Sequence, residues 1–300
     1  MLTDIGFLSG LVYGLISMAA YTFLLIVIIR NWKEFKNSFY VLYIVSSFLN
    51  MGHYFNQLFI YKMPQYTCFG CVMSHFYKMQ TFFGMAFFHF LYTHLILVQY
   101  NMILLTSLNR FTMIFFPFSV ERIWSTQFTT KCIILAIILP VTADYTLIGG
   151  TSKFIYQINL DNFDPRSSAY ENSLFTRCAI YMAVITLVAL IINVASVTRL
   201  VMYKSNVTKK SEVNLLIMTL CNFFFQLLLT TLVVMGNFAD DHNDRHSIIS
   251  VLYVELEPYL TDCLSLLSPF FLYLSSSKLR HFINQNIKPN TFSLPSYHTK

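Results

Sequence analysis

Charge is what this chain has least of. Only 11% of its 300 residues are Asp, Glu, Lys or Arg, and 56% are hydrophobic; a soluble domain carries about 25% charged residues. Glycine is sparse as well, with nine against thirty Phe and nineteen Tyr. This excludes a soluble domain with one core, because there is more apolar material than such a core can bury and lipid must cover some of it. A basic leader is missing too. The opening "MLTDIGFLSG" has no Lys or Arg, and the apolar run after it is long enough to span a bilayer. No cleavable signal peptide is therefore expected, and the first span inserts the chain itself. Internal repeats, low-complexity linkers and domain boundaries are not found.

What is present is a series of long uncharged runs: 5–29, 37–61, 79–109, 178–198 and 213–239. Two more appear once carboxylates are allowed inside: 132–152 with Asp144, and 246–277 with Glu255, Glu257 and Asp262. Each reaches the roughly 20 residues a helix needs to cross about 30 Å of hydrocarbon. β-barrel strands would be shorter and would alternate in polarity, which these runs do not. The expected fold is an all-α membrane protein with a seven-helix bundle over 1–288 and a polar tail over 289–300. Before that tail, Leu279, Phe282, Ile283 and Ile287 recur at helical spacing, which predicts a short amphipathic helix on the inner membrane face.

The basic residues orient the bundle. With the N-terminus outside, fourteen Lys and Arg fall in inner segments and six in outer ones, so the N-terminus is placed outside and the C-terminus in the cytoplasm. The net charge of +6 is then a topology signal, with no nucleic acid as partner. Trp32 and Trp124 fall in inner loops, where indoles can anchor at the interface. The sequon "NVT" at Asn206 falls in the third inner loop.

The third run ends at Arg110, within "TSLNRFTMIFFP". An arginine at the inner end of the third of seven helices, followed by a short loop with Pro117, looks like a G-protein-coupled receptor. "LNRFTMIFFP", then "ERIW" three residues later, resembles the nematode serpentine chemoreceptors of the class gamma superfamily, with the class V and class gamma families nearest. The resemblance covers the whole chain, including a last helix ending in "SPFFLYLSSSKLR". The chain departs from the rhodopsin-like family. Asn109 replaces an acidic residue, Met85 stands about where a cysteine would tie down the third helix, "LCNFFFQLLL" has no Trp-Pro pair, and Tyr273 is one residue too far from Pro269. Of the rhodopsin-type switches only Arg110 is carried over.

The resemblance implies a plasma-membrane receptor, in sensory cilia of chemosensory neurons, that binds a small external chemical and activates a heterotrimeric G protein. Asn109, Arg110, Phe111 and Pro117 are its expected coupling residues. A charge at the membrane edge is costly unless hydrated or paired. Glu212, at the inner start of the sixth helix, is the candidate to lock Arg110 in the resting state; the plainer alternative is that each reaches water alone. On the outer side His89 and His94 lie roughly 31 Å and 24 Å above Arg110 at 1.5 Å per residue. Packing in the core competes there with ligand contact. Glu255 and Asp262 are seven apart, share a face with Tyr259 between them, and are expected to face inward. Cys68, Cys71 and Cys178 lie on or near the oxidising side. One disulfide can form among three, as Cys71–Cys178 or as Cys68–Cys71.

Other classes fit less well. An enzyme is not expected. His242 and His246 sit i, i+4 in an outer loop beside acids, where adventitious metal binding is conceivable but catalysis is not supported. No cofactor is implied, since an opsin needs a lysine in 246–277 and there is none. A transporter would show repeats or matched broken helices. A seven-helix ligand-gated channel of the insect olfactory type would run the other way in the membrane. Transporter or channel is the alternative reading.

Overall fold

The computed structural model describes residues 2–68, 70–71, 74–78, 83–157, 161–167, 172–202, 210–241 and 248–287. Helices dominate. In chain order the main ones are α1 (Leu2–Arg30), α2 (Ser38–Gln57), α3 (Phe83–Phe115), α4 (Thr126–Ile138), α5 (Asn172–Met202), α6 (Lys210–Asp241), α7 (Ile248–Leu266), α8 (Ser268–Ser275) and α9 (Ser277–Ile287). Five stretches among the described residues are long and apolar enough to cross a membrane: Gly10–Arg30, Met85–Phe115, Thr126–Leu147, Ser173–Met202 and Val213–Asn237. The other two expected spans are helical as well, in α2 and in α7 with α8. They carry more polar side chains, among them Asn50, His53, Asn56 and Gln57 in α2 and three carboxylates in α7.

On α5, Ile180, Val184, Leu187, Ile191 and Val194 are all exposed, between 54% and 62%. Their spacing puts them in one stripe along the helix, which suits a surface covered by lipid rather than water. The opposite side of the same helix buries Leu174, Cys178, Met182 and Ile185 in a core shared with α3, α6 and α7. α3 is the hub: it packs on α2, α5 and α6. A second core gathers Tyr21, Leu24 and Ile28 of α1, Phe39 and Tyr40 of α2, Leu215 and Met218 of α6, and Leu279 and Ile283 of α9. The amphipathic reading of 277–287 thus has a helix behind it, and two of its four apolar residues are buried against the bundle. α1 approaches α2 closely at Gly14, where an added Cβ would lie 1.8 Å from the Tyr54 hydroxyl.

Some boundaries differ from expectation. The fourth span begins at Thr126, not 132, because Lys131 remains exposed and can extend to water from within a helix. α3 continues five residues beyond Arg110. The last span is broken at Leu267, ahead of Pro269, which takes an early position in α8 where its missing N–H costs least. Trp124 is no interfacial anchor: it is 7% exposed, and its indole N–H donates to Thr112 Oγ1 at 2.6 Å, pinning the loop onto α3. The fold is also not purely helical. Strands β1 (Ser152–Gln157) and β2 (Asn162–Ser167) form an antiparallel hairpin with Tyr156 opposite Phe163. Asp161 holds a left-handed φ of 46° beside its turn, a conformation Asp tolerates, and accepts from the Tyr156 hydroxyl at 2.6 Å. Phe154 and Phe163 cap the bundle by packing on Ile60, Tyr77 and Met85.

Candidate functional site

Two polar regions lie at opposite ends of α3. At the C-terminal end, Arg110 is 2% exposed, and its guanidinium carbon lies 3.9 Å over the centre of the Phe39 ring. A desolvated cation held on an aromatic face gains on the order of 2 kcal/mol. Phe39 is positioned by the start of α2, whose first turn is fixed by Asn37 accepting from the Tyr40 N–H. Asn109 donates from Nδ2 to Ser38 Oγ at 2.7 Å, tying α3 to that same turn. Phe111 stacks on Phe115 at 4.3 Å, and Arg199 of α5 lies 5.5 Å from the Phe115 ring centre. Pro117 is exposed in the turn after α3, and Phe118 beside it is 98% exposed. Of the expected coupling residues, Asn109, Arg110 and Phe111 are thus brought together and Pro117 lies just beyond. The side chain of Glu212 lies outside the described residues; its backbone belongs to the first turn of α6.

The hairpin end was only partly foreseen. α2 passes into a π-helical turn, Leu58–Lys62, which re-aims the side chains of its final residues. Lys62 thereby reaches Asp262 of α7, donating to its two carboxylate oxygens at 2.7 and 2.5 Å. Their side chains are 15% and 8% exposed. The Lys62 ammonium also lies 5.3 Å over the Tyr54 ring. Nearby, the Tyr92 hydroxyl of α3 donates to Glu257 Oε1 at 3.0 Å, and Thr261 donates to the same oxygen at 3.3 Å. Tyr61 packs on Tyr92 at 4.3 Å, and the His53 ring stacks on Tyr92 at 5.3 Å.

The inward expectation for Asp262 is met, but Tyr259 must be corrected: it is 58% exposed. The buried stripe of α7 runs through Thr261, Leu264 and Ser265 and continues at Ser268 of α8, with Glu257 one turn before Thr261. Tyr259 is two residues, roughly 200°, from Glu257 and so points the other way. Glu257 was missed because the seven-residue spacing favoured Glu255, whose side chain lies outside the described residues. His89 is fully buried and its Nδ1 donates to the Met85 carbonyl at 3.0 Å, within α3 itself. His94 pairs through Nδ1 with Asp144 Oδ2 at 2.9 Å, between α3 and the turn after α4. It therefore joins a different cluster from His89. Of the two expected disulfides, Cys71–Cys178 is not formed and the alternative is. Cys68 bonds Cys71, and Cys178 is a free, buried thiol in the α5 core. Among the described residues, no group of three or more His, Cys, Asp or Glu could hold a metal ion.

Between the two ends runs a polar seam. His53 Nδ1 and Gln99 Nε2 meet Ser265 Oγ at 3.2 and 3.1 Å. Tyr21 donates to the Ser265 carbonyl at 2.5 Å and accepts from Asn50 Nδ2 at 2.8 Å. Below it, Asn50, Gln99, Thr106, Asn222 and Ser268 line a cavity of about 40 Å³ whose floor includes Phe39. That volume holds about three waters. The Phe39 ring therefore touches the cavity on one side and Arg110 on the other.

A helical membrane bundle with a buried arginine at one end and a polar, aromatic cluster at the other is consistent with a serpentine receptor. Comparison with known proteins agrees. Residues 7–283 match the model of the Srg family chemoreceptors. The chain is also 27% identical over 297 residues to serpentine receptor class gamma-31 of Caenorhabditis elegans, covering 95% of each. It belongs to the Srg chemoreceptor family and is a multi-pass membrane protein.

Proposed function

We propose that this receptor binds a small external chemical in the cleft at the hairpin end and activates a heterotrimeric G protein at the Arg110 end. In this reading the chain crosses the membrane seven times, with its N-terminus outside, its C-terminus in the cytoplasm and α9 on the inner face. It works at the plasma membrane, and the family suggests the cilium of a chemosensory neuron.

The burial of Arg110 on Phe39 carries the proposal. The Phe39 ring is one contact that holds the guanidinium in place, and that contact opens when α3 and α2 move apart. Once released it offers five N–H donors to carbonyl groups of an entering helix. Phe118, in the adjacent turn, presents a large apolar side chain on the same side.

The test is a ligand screen on the full-length receptor with a G-protein-dependent readout, run beside Arg110→Ala. An active ligand should signal through the wild type and not through the mutant, at near-normal surface expression of both. Full signalling by Arg110→Ala would remove the main support for this mechanism.

A further inference from the structure

The side-chain cluster at the hairpin end is uneven in charge and in hydrogen-bonding capacity. Lys62 is committed to Asp262 through both carboxylate oxygens. Glu257 is held by two neutral hydroxyls on one oxygen, from Tyr92 and Thr261, and forms no salt bridge among the described residues. Glu257 lies five residues before Asp262 on α7, and with Lys62 the three carry a formal excess of one negative charge.

Two unpartnered acceptors lie on α2, the first of them on a ring that stacks on Tyr92. His53 is fully buried, and its Nε2 has no hydrogen-bond partner. In the tautomer that donates from Nδ1 to Ser265, that nitrogen presents a lone pair. Gln57 is 1% exposed, and its Oε1 is also without a partner. His53 and Gln57 are four apart on α2 and share a face. A carboxylate, an imidazole nitrogen and an amide oxygen are all acceptors; what would satisfy them is a group that only donates. Buried acceptors left unmatched are costly, and a carboxylate at this depth calls for a cation. Tyr92, whose hydroxyl binds Glu257, packs on Tyr61 with ring centres 4.3 Å apart, and aromatic faces attract cations.

We propose that the ligand of this receptor is a small protonated amine on an apolar body, with its ammonium group bound by Glu257 beside Tyr92 and Tyr61 and its remaining N–H groups directed to the acceptors of α2. This deepens the reading of the hairpin end as the ligand cleft and rests on it. An anionic ligand is disfavoured because Lys62, the cation it would need, is already engaged by Asp262.

The test uses purified full-length receptor in lipid nanodiscs, with no G protein present, so that it does not depend on coupling. Three probes share one carbon chain: hexylamine, hexanol and hexanoate. Binding is read as a concentration-dependent rise in melting temperature, since a ligand that binds only the folded state stabilises it. Hexylamine should raise it and the other two should not. Glu257→Gln should weaken hexylamine at least tenfold while leaving the unliganded melting temperature near that of the wild type. Should that variant fail to fold, Tyr61→Leu, which spares the carboxylate, should still weaken hexylamine several-fold. Three results would overturn the proposal: stabilisation by hexanoate in preference to hexylamine, no stabilisation by hexylamine at millimolar concentration, or unchanged amine affinity in either variant. Amine binding that needs Glu257 in a receptor that activates no G protein would support this site and count against the coupling reading alone.

Discussion

At one end of the bundle Arg110 lies 3.9 Å over the Phe39 ring; at the other, Lys62 grips both oxygens of Asp262 across 200 residues of sequence. A ring face holds a cation with on the order of 2 kcal/mol. Separating an ion pair inside a bundle strands two charges away from water. The Lys62–Asp262 pair therefore acts as a fixed tie onto α7. In the proposed reading this tie holds one end of the bundle while the Phe39 contact opens at the other.

The largest effect should come from breaking the tie on one side. Asp262→Asn leaves Lys62 in the bundle without its counter-charge, and should lower stability by about 3 kcal/mol. Thermal unfolding in nanodiscs measures this. Lys62→Met combined with Asp262→Leu should restore most of the loss, since it removes both charges; a double mutant as unstable as Asp262→Asn would mean that the pair is not the cause. Next comes Gly14→Ala. The new Cβ would occupy the place of the Tyr54 hydroxyl, and displacing that ring should cost about 1–3 kcal/mol. Tyr54→Phe in the same background should relieve part of it, and equal stability of Gly14→Ala and wild type would show that α1 simply shifts. The smallest effect is expected at the Arg110 end. If Glu212 also restrains Arg110, Glu212→Gln removes on the order of 1 kcal/mol or less. Because 1.4 kcal/mol is about tenfold, basal signalling should rise several-fold at most. Unchanged basal activity and ligand potency in an expressed receptor would remove Glu212 from the mechanism.

The Arg110 end was legible because its signal is local. One charge ends a 31-residue uncharged run, and Asn109, Phe111 and Pro117 flank it within a few positions. The membrane class was legible for a similar reason, since low charge and long apolar runs need no tertiary information. The hairpin end depends on contacts between distant residues. Lys62 falls one residue past the predicted end of the second span, and counts there as an ordinary loop cation. Only the π-helical turn at Leu58–Lys62 aims it inward, and nothing in "LFIYK" announces that turn. Asp262 was found from its cost in lipid, yet the same argument could not choose between Glu255 and Glu257. The choice depends on which side of α7 meets α3, and that is fixed by Tyr92 and Ser265. Cys68 and Cys71, three apart, bond locally, while Cys178 packs in a core that the cysteine count could not foresee.

In the proposed topology the Arg110 end faces the cytoplasm and the Glu257 end faces outside. The sequon at Asn206 falls in the sequence between α5, whose Arg199 lies near Phe115 at the Arg110 end, and α6, and glycosylation takes place only on the lumenal side, which becomes the outside. The receptor is expressed in cells, treated with a glycosidase and compared with Asn206→Gln by gel mobility. No shift in either protein is the predicted result. A glycosidase-sensitive shift that disappears in Asn206→Gln would turn the receptor over in the membrane and contradict the account.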